Sequence, residues 1–99
     1  MTFASDEMRA LQSVLTEAAG LVSGQRQADY GPPAENMAHV VRIFAAWTDI
    51  HLTPRQGAQF LMALKMARLA NSPHHRDSHV DLAGYTEILW QCAEAERDV

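Results

Sequence analysis

The chain has 99 residues, 47% apolar and 20% charged, which is the balance of one small globular domain over residues 1–99. Its net charge of −4 argues against general nucleic-acid binding, because such binding needs a basic surface that neutralises phosphates. One cysteine excludes an internal disulfide and a cysteine-based zinc site. There is no signal-peptide pattern and no apolar run of the ~18 residues that span a membrane, so we expect a soluble cytoplasmic protein.

Apolar residues at spacings of three and four predict a first helix from about Ser5 to Ser23. Its apolar stripe consists of Met8, Leu11, Leu15, Ala18 and Val22. Acids beside Ser5 favour a helix start, since they meet the positive end of the helix dipole, and Gly24 is expected to end the helix. Residues 25–36 are expected to form an ordered loop, because Gly31-Pro32-Pro33 cannot continue a helix.

A second helix is predicted from Pro33 to about Ile50, with Pro33 in the first turn, where no backbone donor is needed. Its apolar face consists of Met37, Val40, Val41, Phe44 and Trp47. The run Thr53-Pro54-Arg55-Gln56 predicts a capping box at the start of a third helix, which reaches about Ala70. The residues of this helix expected to face the core are Phe60, Leu61, Leu64 and Ala67.

A fourth helix is predicted from about Ser78 to Glu96, with the apolar residues Leu82, Tyr85, Ile88, Leu89 and Cys92. Gly84 is costly inside a helix, so we expect another helix or a ligand to approach it closely. Cys92 is expected to be a buried, inert thiol. No segment alternates as a strand would, which predicts an all-α four-helix bundle. A chain this short buries only about two-thirds of its unfolded surface, so oligomerisation, by default a symmetric dimer, would extend a thin core.

The junction between the third and fourth helices is rich in ionisable side chains. Seven of the ionisable side chains within its 17 residues are two cations, three histidines and two aspartates: Lys65, Arg68, His74, His75, Asp77, His79 and Asp81. Cations can hold phosphates and paired aspartates can hold a divalent metal, so the block points to a nucleotide site. For Lys65 and Arg68, which are three residues apart on one helix, the alternative is that their stems merely cover apolar surface.

The acidic residues also have two interpretations. Asp77 and Asp81 are four residues apart and can share Mg²⁺, or they can serve helix capping, with Ser78 as the N-cap and Asp81 as its N3 partner. Glu35 either adds a third carboxylate from the second helix or is a first-turn acid. The histidines, including His75, either form a transition-metal site, although they match no specific zinc motif, or are phosphate contacts or free surface imidazoles.

The pattern R-x-x-DYG, K-x-x-RL and H-x-DS-x-x-D-x-AGY resembles a family of small phage and prophage proteins of unassigned function. The resemblance spans roughly residues 25–90 and implies a place in the cytoplasm of a bacterial host cell. Its anchors are Arg26, Asp29, Tyr30, Gly31, Asn36, Lys65, Arg68, Leu69, His75, Asp77, Ser78, Asp81, Gly84 and Tyr85.

More remotely, the layout is similar to the MazG-like, all-α nucleoside triphosphate pyrophosphohydrolases. These helical bundles are dimers or tetramers that bind Mg²⁺ through an E-x-x-E and an E-x-x-D motif on two helices. The resemblance implies that Glu35, Asp77 and Asp81 hold Mg²⁺ here. This chain differs in having His39 in place of a second acid after Glu35, and in the four-residue spacing of its aspartates.

Three functions follow as expectations. The first is a Mg²⁺-dependent pyrophosphohydrolase acting on an NTP or dNTP. The second is a non-catalytic protein that sequesters a signalling nucleotide, and the third is a protein-interaction module that inhibits a host enzyme. For the first two, the expected phosphate- and nucleotide-binding residues are Arg26, Tyr30, Asn36, Lys65, Arg68, His75 and Tyr85.

Overall fold

A computed structural model describes residue 9 and residues 12–97, with position 25 described by its backbone alone. Within these residues there is no strand, and the helices are α1 (Val14–Ser23), α2 (Gln25–Tyr30), α3 (Pro33–Thr48), α4 (Pro54–Asn71) and α5 (Arg76–Arg97). The all-α prediction is therefore confirmed for this part of the chain. The MazG-like arrangement and the oligomeric state stay predictions. None of the helices described is long and apolar enough to cross a bilayer.

Helix α5 lies at the centre and packs against α1, α3 and α4. Two ion pairs show that α4 and α5 are antiparallel. Arg55 Nε, at the start of α4, lies 3.1 Å from Glu96 Oε1 near the end of α5. Lys65 Nζ, further along α4, lies 3.1 Å from Asp81 Oδ2 near the start of α5. The antiparallel pair forms the scaffold on which α1 and α3 are placed.

The core is small and lies where α3, α4 and α5 meet. Met37, Ala58 and Cys92 are its buried members, and Ala34, Leu61, Ile88 and Leu89 pack around them. Gly57 allows this meeting, since a Cβ atom there would lie 2.6 Å from Val41 Cγ1 and 2.9 Å from Met37 Cε. Any larger residue at position 57 would therefore require the side chains of Val41 and Met37, or the helix that carries them, to shift.

The prediction of one continuous helix over Ser5–Ser23 is wrong, because the chain leaves helical conformation at Gln12 and Ser13. Ser13 is extended, and its side chain accepts the Thr16 N–H at 3.0 Å as the N-cap of α1. A serine hydroxyl competes for backbone donors in this way, which favours a cap over a helix interior. The predicted start at Ser5 and the stripe residues Met8 and Leu11 lie outside the described residues.

The predicted loop over residues 25–36 is also wrong for most of its length. Gly24 ends α1 as expected, but α2 begins at the next residue. Residues 25–28 are Gln, Arg, Gln and Ala, all good helix formers, so the break is confined to Gly31-Pro32. Pro33 then opens α3 in its first turn, as predicted.

The capping box before α4 is confirmed. The Thr53 side chain accepts the Gln56 N–H at 3.1 Å, and the Gln56 side chain accepts the Thr53 N–H at 3.0 Å. The prediction that Ser78 caps the last helix, with Asp81 as its N3 partner, is wrong. Helix α5 begins at Arg76, Ser78 is buried inside it, and His75 Nδ1 accepts the Ser78 N–H at 3.2 Å.

Much of the predicted apolar face of α3 and α4 lies in solvent. The exposed fractions are 80% for Trp47, 54% for Phe60 and 52% for Leu64. The Phe44 and Phe60 rings are 6.5 Å apart and join the two helices on this side. We call this surface the α3–α4 face; it consists of Val40, Ile43, Phe44, Trp47, Phe60 and Leu64. It is exposed because α4 turns its small residues, Gly57 and Ala58, towards the core.

A cluster of opposite charges fastens the start of α1 to the start of α5. Arg9 pairs with Asp77 and, at 3.0 Å, with Glu17. Arg76 Nη2 lies 3.3 Å from Glu17 Oε1 and donates to the Gln12 carbonyl at 2.7 Å. Hydrogen bonds from Arg9 hold the pKa values of the Glu17 and Asp77 carboxyls below their ordinary values. A hydrogen bond from Arg76 lowers the pKa of Glu17 further. We call these four charged residues the α1–α5 cluster.

The α1–α5 cluster predicts an acid-sensitive stability. Because the folded-state pKa of Glu17 and Asp77 is lowered, their contribution is complete above the unfolded carboxyl pKa of about 4 and is lost as pH falls below it. We expect Glu17→Gln to lower the midpoint of thermal unfolding at pH 7. Between pH 5 and pH 3, the midpoint of the variant should fall less than that of the wild-type protein. Glu87→Gln is the control, since this exposed carboxylate accepts from the neutral amide of Gln91. An equal loss in both variants would contradict the role of the cluster.

The end of α3 provides a second stability prediction. Asp49 is left-handed, with φ 59° and ψ 22°, a conformation that costs most residues other than glycine roughly 1–2 kcal/mol. Replacing it with glycine should raise the free energy of unfolding by about 1 kcal/mol, measured by urea denaturation. Ala46→Gly, at an exposed position within α3, should instead lower it by about 1 kcal/mol. If Asp49→Gly destabilises the protein as Ala46→Gly does, the left-handed conformation at position 49 carries no such free-energy cost.

Candidate functional site

A cavity of about 360 Å³ is lined by residues from all five helices, with Leu61 as the contribution of α4. This volume is at the lower end of the range for small-molecule sites, about 300–1,000 Å³. Apolar residues from four helices form its inner wall: Ala18, Val22, Met37, Leu61, Val80 and Ile88. The polar side chains around it belong to Arg26, Gln27, Tyr30, Asn36, Asp81 and Tyr85. An apolar wall with a few convergent polar groups is the composition typical of a ligand site.

The turn between α2 and α3 builds one rim of the cavity. Gly31 has φ 81° and ψ −175°, a conformation that is essentially restricted to glycine, and its N–H donates to the Gln27 carbonyl at 2.8 Å. Pro32 and Pro33 then direct the chain into α3. As a result Arg26 and Tyr30 on α2 and Asn36 in the first turns of α3 line the same opening. Both α2 side chains are largely exposed, as expected at a rim.

A second part of the lining comes from one turn of α5. Val80 is buried, and Asp81, Gly84 and Tyr85 line the cavity beside it. A Cβ atom at Gly84 would lie 3.4 Å from Val22 Cγ2, an ordinary van der Waals contact, so α1 is a neighbour of this glycine but does not approach closely enough to require it. Asp81 keeps 21% of its side chain exposed and is paired with Lys65 at 3.1 Å. An ionised acceptor is thereby held at the wall of the cavity.

Three predicted phosphate-binding residues lie elsewhere. The Lys65 ammonium is directed to Asp81, and Lys65 is not among the residues that line the cavity. His75 caps α5 through Ser78, with its Nδ1 also 2.8 Å from Ser78 Oγ. Arg68 is exposed and does not line the cavity either. For Lys65 and His75 the structure therefore provides structural roles that the sequence pattern did not specify.

The three predicted magnesium ligands are in different surroundings. Asp77 belongs to the α1–α5 cluster, Asp81 lines the cavity, and Glu35 is exposed in the first turn of α3. Among residue 9 and residues 12–97, no three or more His, Cys, Asp and Glu side chains come together as a metal ion would require. The structure thus does not bring the three carboxylates into one group, and magnesium binding stays a prediction.

Sequence reasoning missed Gln27, whose side chain lines the cavity between Arg26 and Tyr30. The signal was present, because a helix over residues 25–30 places positions 27 and 30 on one face, but the segment was interpreted as a loop. It also missed the ion pair between Asp77 and Arg9, because the two residues are far apart in the sequence. Cys92 is buried as predicted, and burial, together with nearby Glu96, raises the pKa of its thiol.

Comparison with known proteins identifies relatives for nearly the whole chain. It is 36% identical over 88 residues to the Gene 55 protein of Mycobacterium phage L5, covering 86% of this chain and 56% of that protein. It is 34% identical over 74 residues to the Gene 55 protein of Mycobacterium phage D29, covering 75% and 49%. The chain thus spans about half the length of these curated relatives. No solved structure matches it.

The predicted resemblance to phage proteins of unassigned function is confirmed by these relatives, whereas the remote similarity to MazG-like enzymes stays a prediction. A family profile described as a domain of unknown function, DUF6378, matches residues 13–93. That match covers the cavity lining, the whole α3–α4 face, and the α4–α5 pair except for the end of α5. The chain belongs to the DUF6378 family.

Proposed function

We propose that the cavity binds a nucleotide. One observation supports this above the others: five of the ten site residues that the sequence predicted line a single cavity. These five are Arg26, Tyr30, Asn36, Asp81 and Tyr85. They form two groups in the sequence, one on α2 and α3 and one on α5, and the fold brings these two groups together. The expected place of action, the cytoplasm of the host cell, belongs to the same proposal.

The chemistry of the cavity suits the parts of a nucleotide. The apolar wall accommodates a flat ring, and Tyr30 and Tyr85 provide aromatic surface beside it. Tyr30 is 64% exposed, so its ring is free to stack on a base that enters the opening. Arg26 at the rim offers a guanidinium for phosphate oxygens, and the amides of Gln27 and Asn36 add hydrogen-bonding groups.

Binding without hydrolysis is the form of this proposal that the geometry favours. Asp81 is the carboxylate that lines the cavity in the described part of the chain, while Asp77 is engaged by Arg9. Mg²⁺-dependent hydrolysis needs enough oxygen ligands to hold the ion, and the phosphates of a bound nucleotide would have to complete them. Pyrophosphohydrolase activity therefore remains the alternative that the assay below must separate from sequestration.

Calorimetric titration with nucleoside mono- and triphosphates, with and without Mg²⁺, tests the binding proposal. We expect saturable binding by the wild-type protein, and a roughly tenfold weaker affinity in Arg26→Gln, since a hydrogen bond to a charged group is worth about 1.5–3 kcal/mol. Arg42→Gln is the matched control, because Arg42 is exposed on α3 and does not line the cavity. Absence of binding, or equal weakening in both variants, would contradict the proposal.

A pyrophosphate-release assay on the same samples separates the two forms of the function. We expect stoichiometric binding without turnover, whether or not Mg²⁺ is present. Release of pyrophosphate that requires Mg²⁺ and is lost in Asp81→Asn would instead establish the hydrolase.

A second candidate function rests on the α3–α4 face. We propose that a second copy of the chain covers it, because large apolar side chains there are exposed above a thin core. Val40 belongs both to this face and to the lining of the cavity, so a dimer formed here would place the partner next to the ligand site. Homo-oligomerisation and ligand binding would then be coupled.

Light scattering across a concentration series tests the dimer. We expect a dimer for the wild-type protein and a monomer for the double variant Phe60→Gln/Leu64→Gln, since both changes place amides in the apolar contact. Trp90→Gln is the control, because Trp90 is similarly exposed but lies on α5 and not on this face. A wild-type monomer at every concentration would contradict the dimer and would leave the face to a different protein, such as a host enzyme.

A further inference from the structure

The charged groups of the cavity come from two different helices. Among the described residues that line it, Arg26 on α2 and Asp81 on α5 are the charged ones. Arg26 is exposed, whereas Asp81 is partly buried, adjoins buried Val80 and lies one turn from buried Gly84. The cavity is therefore lined by one exposed cation and one less exposed carboxylate.

Lys65 reaches Asp81 from outside the cavity. Its ammonium is 3.1 Å from Asp81 Oδ2, and its side chain is 28% exposed, although Lys65 does not line the cavity. An ionised carboxylate has about four acceptor positions and no donor, so this contact leaves several positions for a ligand. Lys65 also balances the negative charge of Asp81, which is partly buried and would otherwise be unpaired.

A carboxylate in this position discriminates between ligand groups. It attracts N–H and O–H donors and repels phosphate oxygens, so it orients any molecule that carries both. The phosphates of a nucleotide would be placed at Arg26 and its donor-bearing end at Asp81. Sequence patterning assigned Lys65 to phosphate, but the geometry directs its charge to the carboxylate.

We propose that Asp81 determines ligand specificity by accepting hydrogen bonds from adjacent donors on the inner end of the ligand, and that Lys65 positions its carboxylate. This inference rests on the proposed nucleotide binding. Two parts of a nucleotide carry such adjacent donors: a guanine ring, through its N1–H and 2-amino groups, and a ribose, through its 2′- and 3′-hydroxyls. The shared chemistry is a pair of donors that matches the acceptor positions of one carboxylate.

Calorimetric titration with four monophosphates identifies which part is bound. The probes are those of guanosine, inosine, adenosine and 2′,3′-dideoxyguanosine. If the base is the donor, guanosine monophosphate should bind about tenfold tighter than the inosine form, which lacks the 2-amino group. If the ribose is the donor, the dideoxy form should bind about tenfold more weakly and the three bases should bind alike.

Variants at both residues separate specificity from simple loss of structure. We expect Asp81→Asn to reduce the preference to less than about threefold, because an amide presents only one acceptor group in place of two. Lys65→Met should reduce the preference as well, and Lys65→Arg should restore it. Should Asp81→Asn fail to fold, the double variant Lys65→Gln/Asp81→Asn removes both charges together and is measured with the same four ligands.

The outcomes separate the specificity role of Asp81 from the proposal that the cavity binds a nucleotide. If all four monophosphates bind the wild-type protein with equal affinity, the role of Asp81 is refuted, while nucleotide binding stands. A preference that persists in Asp81→Asn refutes it equally. If none of the four binds, both the inference and the proposed function are overturned.

Discussion

Helix α5 contacts each of the other long helices, and the residues along its buried side decide how close they come. Gly84 lies beside Val22 of α1, and Cys92 packs in the core with α3 and α4. Ser78 is buried in the first turn of α5. The ion pairs from Arg55 and Lys65 hold α4 antiparallel to it. Because the cavity is bounded by α1, α3 and α5, its shape depends on these contacts.

The features that sequence predicted well are local ones. The capping box at Thr53 and Gln56 and the start of α3 at Pro33 depend on neighbouring residues, so their spacing was sufficient. The break at Ser13 and the helix over residues 25–30 were missed because each depends on which of two local preferences prevails. Apolar periodicity predicted that Trp47, Phe60 and Leu64 face the core, and this prediction is wrong, because periodicity cannot show whether an apolar stripe has a neighbour within one chain.

The candidate site was half predictable for a related reason. Motif residues such as Tyr30, Asn36 and Tyr85 do line one cavity, although they are far apart in sequence. Their convergence depends on how the helices cross. The same crossing pairs Lys65 with Asp81 and Arg9 with Asp77. The predicted ligand contacts of Lys65, Asp81 and Asp77 are therefore ion pairs within the fold. A carboxylate or a cation in a motif does not reveal whether its partner will be a ligand or another side chain.

The cavity thus combines apolar residues, aromatic surface, an exposed cation and a carboxylate acceptor. On this composition rests the proposal of a ligand with a ring, donors and an anionic end, such as a nucleotide. The Gene 55 proteins are about twice as long as the part that this chain matches, so the activity of the whole protein is a further matter of proposal. The family match over residues 13–93 includes the residues that line the cavity.

The most direct measurement of the central claim, that this cavity is the ligand site, is a titration of ¹⁵N-labelled protein with guanosine monophosphate followed by NMR. The account predicts saturable shifts of the backbone amides of Gly31, Asn36 and Gly84, which surround the cavity, and little change at Gly57, between α3 and α4. Shifts concentrated on the α3–α4 face, or no shift at any concentration, would contradict it.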